Sequence, residues 1–290
     1  MKIWLDGELV DKAHAKVDVY DHGLLYGDGV FEGIRAYNGR IFQCASHVER
    51  LYRSARLIRL AIPYTKQEIV EAMTETLKAN GLSEAYIRLV VTRGIGTLGL
   101  NPFTCGRPTV FVIADLIQLY PKEMYEDGMA VIIAKTLRTS PTMLDPTVKS
   151  LNYLNNIMAK AESIDAGAPE AIMLNEHGNV AECTGDNIFL VKGGEVITPP
   201  PEAGCLIGIT RAVVMHLSRK MGLPCHEKDI GPKDLFAADE CFLTGTAAEV
   251  IAVTKIDHHV IGGGKVGPIA QRLTKAFRDF INSGEELDLE

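Results

Sequence analysis

The sequence predicts an α+β fold in two domains. Strand-like runs pair as hairpins in both halves of the chain, and helical patterns lie between them. The polar segment QLYPKEMYEDGM separates the two halves. Because so many strands form hairpins, a regular doubly wound sheet does not fit. We predict a small N-terminal domain over 1–118, a linker over 119–128 and a larger domain over 129–290.

The first elements are a strand with a tight turn, a hairpin and a helix. KIWLDGELV contains a DG turn, and VFEGIRAYNGRIF has two β-rich arms joined by the strong hairpin signal Asn38-Gly39. SHVERLYRSARLIRL places Ser46 three residues before Glu49 and then shows a helical apolar stripe. This spacing predicts a capping box at the start of that helix.

The next helix has the same start signal. TKQEIVEAMTETLKANG places Thr65 three residues before Glu68, and Gly81 predicts the end of the helix. AYIRLVVTRG follows as a strand. PTVFVIAD is apolar throughout its centre, which predicts a strand inside a sheet.

The second half continues the mixture. AVIIAKTLRTS predicts a strand, and PTVKSLNYLNNIMAKA an amphipathic helix whose apolar face carries Leu151, Leu154, Ile157, Met158 and Ala161. AIMLNEHGNVAE and NIFLVKGGEVITPP predict hairpins. TRAVVMHLSRKMG and PIAQRLTKAFRDFIN predict helices, and ADECFLTG and VIAVTKIDHHVI predict strands.

Composition restricts the classes of partner. A net charge of −7 argues against nucleic acid and anionic membranes, which both require a basic face. The longest apolar run, VFVIADLI, is too short to span a bilayer, and the N-terminus does not resemble a signal peptide. Six cysteines without a CxxC pair predict reduced thiols, a cytoplasmic location and no metal site.

Two glycine turns are candidate anion sites. GCLIGITRAVVMHL places Gly204 and Gly208 before a helix that begins near Thr210, and free N–H groups at such a start attract phosphate. In LTGTAAEV, Gly245 permits close approach of a ligand and Thr246 offers a hydroxyl. Neither matches a P-loop or dinucleotide fingerprint, so ordinary turns remain an alternative.

Lys149 precedes the predicted helix, at the end where the macrodipole disfavours a cation. A nucleophilic amine must be partly neutral, and a helix N-terminus and apolar surroundings both lower the pKa of a lysine. Tyr153 follows at i+4, on the same face if the helix begins by Lys149. The alternatives are a Schiff-base lysine with a cofactor-binding phenol, or an exposed lysine in a loop.

Two strands carry candidate binding residues. In AYIRLVV, Tyr86 and Arg88 share one face, and the guanidinium can bind a carboxylate through two hydrogen bonds. In VFEGIRAY, Phe31 and Gly33 share a face, and a glycine in mid-strand often marks close approach by a ligand. Half-buried strands with charged edges are the alternative.

Seven stretches together resemble one family, the fold-type IV pyridoxal-phosphate aminotransferases, and within it the branched-chain amino acid aminotransferases. In the family's order they are YGDGVFEGIRAYNGRIF, HVERLYRSA, YIRLVVTRG, KSLNYLNN, AECTGDNIF, LIGITR and LTGTAAEV, spread from residue 26 to residue 250. The resemblance implies the two-domain D-amino-acid-aminotransferase-like fold. It also implies pyridoxal 5'-phosphate (PLP) as cofactor and amino transfer between leucine, isoleucine or valine and 2-oxoglutarate, as in branched-chain amino acid biosynthesis.

The resemblance also implies the role of each residue. Lys149 forms the Schiff base and moves the proton, Tyr153 bonds the cofactor's phenolate oxygen, and Glu182 pairs with its pyridine nitrogen. A carboxylate there keeps the ring protonated as an electron sink. The remaining cofactor residues, which hold the phosphate or pack on the ring, are Arg50, Leu206, Gly208, Ile209, Thr210, Gly245 and Thr246.

The implied substrate residues bind carboxylates or line the apolar pocket. They are Tyr26, Phe31, Gly33, Tyr86, Arg88, Tyr120, Thr246 and Ala247. In such proteins the loop corresponding to residues 94–100 reaches into the partner subunit's site. The resemblance therefore implies a homodimer or a dimer-based hexamer.

Other members of the same fold remain alternatives. D-amino acid aminotransferases resemble one another in an Arg and a His after TRG, and GIGTLGLNPFTC has neither. Aminodeoxychorismate lyases tend to have threonine where this chain has Gly33. The (R)-amine transaminases differ only by pocket substitutions, and some members place one more residue between the lysine and the tyrosine. A PLP protein without transaminase activity and a metal-dependent hydrolase are the more distant alternatives.

Overall fold

The computed structural model describes residues 1–117 and 119–289. These residues form two compact units. The N-terminal unit comprises 1–117, 148–152 and 284–289, and the C-terminal unit comprises 119–147 and 153–283. Lys149 thus lies in the N-terminal unit, although it falls within the predicted domain 129–290. The predicted boundaries remain a prediction, and those at Gln118 and Glu290 lie outside the described residues.

The N-terminal unit contains one sheet and three α-helices within its described residues. The strands are β1 Lys2–Leu5, β2 Glu8–Asp11, β3 Gly29–Tyr37, β4 Arg40–Ile41, β5 Ala85–Thr92 and β6 Val110–Asp115. The helices are α1 His22–Tyr26, α2 Cys44–Leu57 and α3 Lys66–Ala79. The order β2-β1-β6-β5-β3-β4 is antiparallel throughout, and β6 lies inside the sheet as its apolar sequence predicts.

Tight turns in this unit follow the local sequence. Asp6-Gly7 joins β1 to β2 with φ of 48° and 103°, and Asn38-Gly39 joins β3 to β4 with φ of 51° and 77°. Left-handed backbone at both central positions is the geometry that such hairpins require. Both predicted turns are therefore confirmed.

Of the two predicted capping boxes, one is confirmed. Thr65 and Glu68 form it at the start of α3. The box at Ser46 is wrong, because α2 begins two residues earlier at Cys44, after Gln43 in a left-handed conformation with φ of 46°.

A distant segment completes the start of α2 instead. The Cys44 N–H donates to Glu286 Oε1 at 3.3 Å. The Gln43 side chain donates to the Glu285 carbonyl at 2.8 Å and accepts from Leu287 N–H at 2.9 Å. The segment 284–289 thus satisfies groups that a local cap would otherwise satisfy.

The core of the N-terminal unit lies between the sheet and the helices α2 and α3. Leu51 of α2 and Met73 of α3 are fully buried together with Ile34 of β3 and Ile87 of β5. Each occupies the inward position of its helical or strand period, so the apolar pattern directs α2 and α3 onto one face of the sheet.

The C-terminal unit is a mixed sheet of nine strands with five α-helices, counted over its described residues. The helices are α4 Lys122–Asp127, α5 Leu154–Asp165, α6 Ile209–Lys220, α7 Pro232–Phe236 and α8 Pro268–Ser283. The strands are β7 Met129–Ile133, β8 Ala171–Leu174, β9 Val180–Cys183, β10 Asn187–Lys192, β11 Glu195–Thr198, β12 Cys225–Glu227, β13 Glu240–Gly245, β14 Glu249–Ile256 and β15 His259–Val260.

Strand order in this sheet is β12-β11-β10-β13-β14-β7-β8-β9, and β15 pairs with β14. The hairpin β10–β11 turns at Gly193-Gly194, with φ of 57° and 85°, and β8–β9 is the second predicted hairpin. The pairs β14–β7, β7–β8 and β11–β12 are parallel. Helix α4 occupies most of the segment predicted as a linker.

Helix α5 corrects the prediction for PTVKSLNYLNNIMAKA. It begins at Leu154, so Lys149 lies five residues before it. The predicted buried face is wrong as well, because Ile157 and Met158 are 58% and 52% exposed.

The buried residues of α5 are smaller and more polar. Asn156, Ala159 and Ser163 lie on one helical face that packs against β8. The Asn156 Nδ2–H donates to the Thr184 carbonyl at 2.9 Å, which satisfies one polar group of the buried amide. Small side chains permit a close approach to the sheet, and the large apolar ones therefore point away from it.

Candidate active site

Lys149 is anchored in the N-terminal unit through its main chain. Its carbonyl accepts a hydrogen bond from Phe31 N–H at 3.0 Å, and its N–H donates to Ser54 Oγ at 3.2 Å. Ser150 bridges to Val30 of β3. The Lys149 ammonium lies 4.7 Å from the centre of the Phe31 ring, a cation–π distance. The strand β3 and the helix α2 therefore hold this lysine.

The helix dipole does not act on Lys149 as predicted. A macrodipole affects charges only near the terminal turn, and α5 begins five residues later. Tyr153 is the half-buried N-cap residue of α5, in the C-terminal unit. Lys149 and Tyr153 therefore do not share a face of one helix.

Four predicted substrate residues meet in the N-terminal unit. The register of β3 against β5 pairs Gly33 with Arg88. A Cβ added to Gly33 would lie 2.0 Å from Tyr86 Oη, so the phenol occupies the space over this glycine. Arg88 Nη2 donates to Tyr86 Oη at 3.2 Å, and the Arg88 guanidinium lies 4.6 Å from the Phe31 ring centre. Phe31 thus contacts both Arg88 and Lys149.

Arg50 forms a buried ion pair that the sequence interpretation missed. Arg50 Nε donates to Glu32 Oε1 and Arg50 Nη2 to Glu32 Oε2, both at 2.7 Å. His47 Nδ1 lies 2.8 Å from Glu32 Oε2. All three side chains are at most 9% exposed. Only the i, i+3 spacing of His47 and Arg50 in HVERLYRSA hinted that both would face β3.

The protonation of this group follows from its charges. Burial alone would raise the pKa of Glu32, but the Arg50 guanidinium and the hydrogen bonds from Arg50 and His47 lower it to about 2. Burial lowers the pKa of His47, although its hydrogen bond to Glu32 opposes this. The resulting state is a neutral imidazole, donating through Nδ1 to a carboxylate that is paired with Arg50.

The loop 94–100 is bonded to Tyr26. Tyr26 Oη donates to the Leu98 carbonyl at 2.5 Å. Ile95, Leu98 and Leu100 are 52%, 68% and 80% exposed. This loop therefore presents three large apolar side chains on the surface of the unit.

Glu182 is the buried carboxylate of the C-terminal unit that the sequence singled out. Arg138 Nε donates to Glu182 Oε1 at 2.8 Å, and the Leu206 N–H donates to Oε2 at 2.9 Å. Both charged side chains are at most 9% exposed. Arg138 is a second residue that the sequence interpretation missed, because the pair joins residues 44 positions apart.

The two candidate anion turns also lie in this unit. Gly208 is the N-cap of α6, and no described side chain caps the free N–H groups of that helix. Ile209 and Thr210, which follow, are buried. Gly245 ends β13, and Thr246 and Ala247 after it are half-buried. Backbone donors at an uncapped helix start favour an anion.

Tyr120 lies in the apolar core of the C-terminal unit. Its hydroxyl is 3.4 Å from Glu170 Oε2 and 3.5 Å from Asp186 Oδ2. Burial raises the pKa of Tyr120, and the charges of Asp186 and Glu170 raise it further. The single Tyr120 O–H thus faces two carboxyl groups, and its place in a substrate pocket remains a prediction.

A profile of the family "Amino-transferase class IV" matches residues 29–256. The chain is 50% identical over 279 residues to the "Putative branched-chain-amino-acid aminotransferase" of Methanocaldococcus jannaschii, covering 96% of each chain. The branched-chain amino acid aminotransferase of Escherichia coli is similar in structure, with a TM-score of 0.94, 33% identity and coverage of 99% and 96%.

This chain belongs to the class IV aminotransferases. Membership confirms the resemblance and the predicted α+β, two-domain fold. A further similar structure is the branched-chain amino acid aminotransferase of Thermobaculum terrenum, solved in its PLP form. It matches with a TM-score of 0.88 and 29% identity, over 98% of this chain and 94% of that one.

Residues 1–117 and 119–289 meet neither the requirements of a metal-binding cluster of side chains nor those of a membrane-spanning helix. No cluster of three or more His, Cys, Asp or Glu in these ranges is arranged to hold a metal ion. No helix described there is long and apolar enough to cross a membrane. The six cysteines are free thiols, and burial raises the pKa of Cys183, Cys205 and Cys241.

Proposed function

We propose that this chain is a PLP-dependent aminotransferase that moves the amino group between leucine, isoleucine or valine and 2-oxoglutarate. The observation that carries the proposal is the arrangement around Phe31, whose ring contacts the Lys149 amine and the Arg88 guanidinium. A nucleophilic amine, an apolar surface and a carboxylate-binding cation are the groups this reaction requires. The relatives that the chain matches over nearly their full length are named for this activity.

The residues present fit PLP. The cofactor combines an aldehyde, a pyridine nitrogen and a phosphate, and each has a chemically matched group in the chain. Lys149 offers an amine, Glu182 a buried carboxylate already oriented by Arg138, and the start of α6 an uncapped set of backbone donors. The fit is therefore one of donor chemistry as well as family.

When bound, PLP supplies an electron sink for the charge left on the substrate carbon. Lys149 Nζ would hold the cofactor through its aldehyde group and would be the base that accepts the substrate's α-proton and later gives it back. Glu182, whose carboxylate is oriented by the Leu206 N–H and by Arg138, would pair with the pyridine nitrogen and favour its protonated form. Tyr153 would orient the cofactor ring by a hydrogen bond to its phenolate oxygen.

The phosphate contacts are divided between backbone and side chains. The N–H groups after Gly208 and Gly245 provide the backbone part. Arg50 would contribute a guanidinium that is held by its two hydrogen bonds to Glu32. The residues we assign to the phosphate and the ring face are Arg50, Leu206, Gly208, Ile209, Thr210, Gly245 and Thr246.

Substrate recognition combines one polar edge with an apolar floor. Arg88 and Tyr86 bind the carboxylate, and their mutual hydrogen bond sets the direction of both. Phe31 and Gly33 receive the aliphatic side chain, because the glycine leaves room beside the ring. We assign Tyr26, Tyr120 and the Thr246-Ala247 backbone to the remainder of the pocket.

Absorbance spectroscopy of the purified holoprotein tests the function. L-Leucine should bleach the visible band of the bound cofactor, and 2-oxoglutarate should restore it. Lys149→Ala should abolish the band, whereas Lys275→Ala, at a lysine with a 79% exposed side chain, should not. A band that persists in Lys149→Ala refutes the assignment of the lysine. Bleaching by D-alanine or an (R)-amine, but not by L-leucine, refutes the substrate and indicates another member of the fold.

We further propose a homodimer, or a hexamer of dimers, in which the loop 94–100 contributes to the partner's site. The exposure of Leu98 and Leu100 supports this, since burial of apolar surface drives association. Light scattering should give a dimer or a multiple of it for the native chain and a smaller mass for Leu98→Asp/Leu100→Asp. Val260→Asp, at an apolar residue that is 60% exposed elsewhere, serves as the control. A monomeric native chain refutes the proposal.

We place the protein in the cytoplasm. Four of the six free cysteines are buried, and their thiols do not need an oxidising compartment for the fold. Cell fractionation with an antibody to the chain tests this location, and recovery with membranes or in the culture medium contradicts it.

A further inference from the structure

The adjacent side chains of Asp186 and Asn187, at the start of β10, lie against the two glycine turns at Gly245 and Gly208. A Cβ added to Gly245 would lie 1.9 Å from Asp186 Oδ1, and a Cβ added to Gly208 would lie 1.9 Å from Asn187 Oδ1. The register of β10 against β13 pairs Asn187 with Thr244, which places Asp186 opposite Gly245. Glycine is therefore required at both turns by the side chains that lie against them.

Asn187 also fixes the chain before α6. Its Nδ2–H donates to the Leu206 carbonyl at 2.9 Å, and Leu206 N–H in turn donates to Glu182. Asn187 is 6% exposed, so this amide has exchanged its water contacts for protein contacts. One dipeptide thus contacts the turn at the start of α6 and the turn at the end of β13.

We propose that Asp186 and Asn187 are positioning residues for the phosphate site, because together they set the spacing between the turns at Gly208 and Gly245. The inference rests on the proposed function, which makes both turns ligands of the PLP phosphate. Neither side chain needs to contact the phosphate. Each acts through the backbone donors that it holds in place.

The surroundings of Asp186 favour its neutral form, which can lie beside an anion. Burial, and after it the carboxylate of Glu170, raise the pKa of Asp186 to about 7, although Lys160 and a Tyr120 hydrogen bond oppose the shift. Glu182, the remaining acid that acts on Asp186, also raises it.

Glu170 accepts several hydrogen bonds in this group. Its Oε1 accepts hydrogen bonds from the Ala171 N–H, the Thr184 N–H and the Thr184 hydroxyl, and Lys160 lies 3.5 Å from its Oε2. With a pKa of about 7, Asp186 is protonated below neutral pH and ionises as pH rises above it. A neutral acid can lie next to Gly245 without repelling phosphate, whereas an ionised one would repel it.

The test compares binding of PLP with binding of pyridoxal, which lacks the phosphate, to the full-length chain. Asn187→Ala should weaken PLP binding about tenfold, because it removes one positioning hydrogen bond. It should leave pyridoxal binding nearly unchanged. Asp186→Ala should act in the same direction. Asn175→Ala is the matched control, because Asn175 is a buried amide of the same unit that donates to the Ala203 carbonyl. The control should leave the PLP-to-pyridoxal ratio unchanged even where it lowers stability.

The pH dependence gives a second test that an unstable variant does not compromise. In the native chain the PLP-to-pyridoxal ratio should fall as pH rises through about 7. Asp186→Asn keeps the shape without the titration, so its ratio should not show that fall. The phosphate's own titration is common to both proteins and cancels in the comparison.

Separate results refute the inference and the proposed function. If the native chain binds PLP but Asn187→Ala and Asp186→Ala keep the native ratio, the inference is wrong. Parallel pH profiles for the native chain and Asp186→Asn contradict the neutral acid. If the native chain binds neither PLP nor pyridoxal, the proposed function fails first.

Discussion

Arg50 and Glu32 form a buried, two-point ion pair, with Nε–Oε1 and Nη2–Oε2 distances of 2.7 Å. The pair joins α2 to β3, the strand whose Phe31 also holds the main chain of Lys149. The ion pair therefore connects α2 to the same strand that holds the segment of Lys149. Such a pair contributes little net stability when complete, but its disruption leaves an uncompensated buried charge.

Replacement of Glu32 by glutamine should lower the free energy of unfolding at neutral pH by about 3–5 kcal/mol, because the buried Arg50 loses the carboxylate that balances its charge. The pKa of Glu32 is lowered from 4.5 to about 2, so the native pair stabilises fully above pH 4.5 and loses this as pH falls through about 2. The difference between native chain and variant should shrink over that range.

Chemical denaturation at a series of pH values measures this difference. Glu49→Gln is the matched control, because Glu49 pairs with Lys66 on the surface, where both side chains are about half exposed. It should change stability by about 1 kcal/mol or less. A Glu32→Gln variant as stable as this control would contradict the assigned role of the pair.

Gly33→Ala should displace the Tyr86 phenol, because the added Cβ would lie 2.0 Å from its oxygen. Tyr86 bonds Arg88, so the carboxylate-binding edge should shift with it. We expect KM for L-leucine to rise about tenfold, the cost of one disturbed charged hydrogen bond, with stability changed much less. Steady-state kinetics measure this, and unchanged KM would argue that Tyr86 and Arg88 do not bind substrate.

Two substitutions in α5 should have effects opposite to those expected from its hydrophobic pattern. Ile157→Ala should change the free energy of unfolding of the separated subunit by about 0.5 kcal/mol or less, because Ile157 is 58% exposed. Ala159→Leu should cost about 1–3 kcal/mol, since Ala159 is fully buried against the sheet. Thermal unfolding at low protein concentration compares them, and a larger loss for Ile157→Ala would contradict the described helix face.

Glu286→Ala should destabilise α2 from the far end of the chain. The carboxylate caps an N-terminus that has no local side-chain cap, and loss of such a cap costs about 0.5–2 kcal/mol. Hydrogen exchange should speed up selectively in the first turn of α2. Glu285→Ala is the control, because that residue contributes its backbone carbonyl to Gln43. Equal exchange in both variants would exclude a capping role for the carboxylate.

Local signals predicted the local features of this fold. Asn38-Gly39 and the Thr65–Glu68 box act within four residues, and both form as the sequence indicates. The Ser46–Glu49 box failed because a segment about 240 residues away supplies the cap. The free N–H groups at a helix start can be satisfied by a distant segment as well as by neighbouring residues.

In the candidate site, too, local patterns were predicted correctly and contacts between distant residues were missed. Strand alternation brought Tyr86 and Arg88 to one face, and the register then set Gly33 beside them. The pair Arg138–Glu182 depends on two elements meeting in space, which spacing along the chain does not encode. The apolar stripe of α5 gave a wrong prediction of its buried face. Hydrophobicity alone does not distinguish a helix face that packs inward from one that stays on the surface.

The bonds from Gln43 and Ser46 to the segment 284–289 also set an order of events during synthesis. Their partners are 242 and 241 residues later in the chain. At ordinary rates of translation this is a wait of roughly 10–50 s, during which the first turn of α2 is exposed on the ribosome. Most of the N-terminal unit therefore emerges first, but the hydrogen bonds at the start of α2 form only after the whole C-terminal unit has been translated. Until then its buried charges depend on a helix whose start is incomplete.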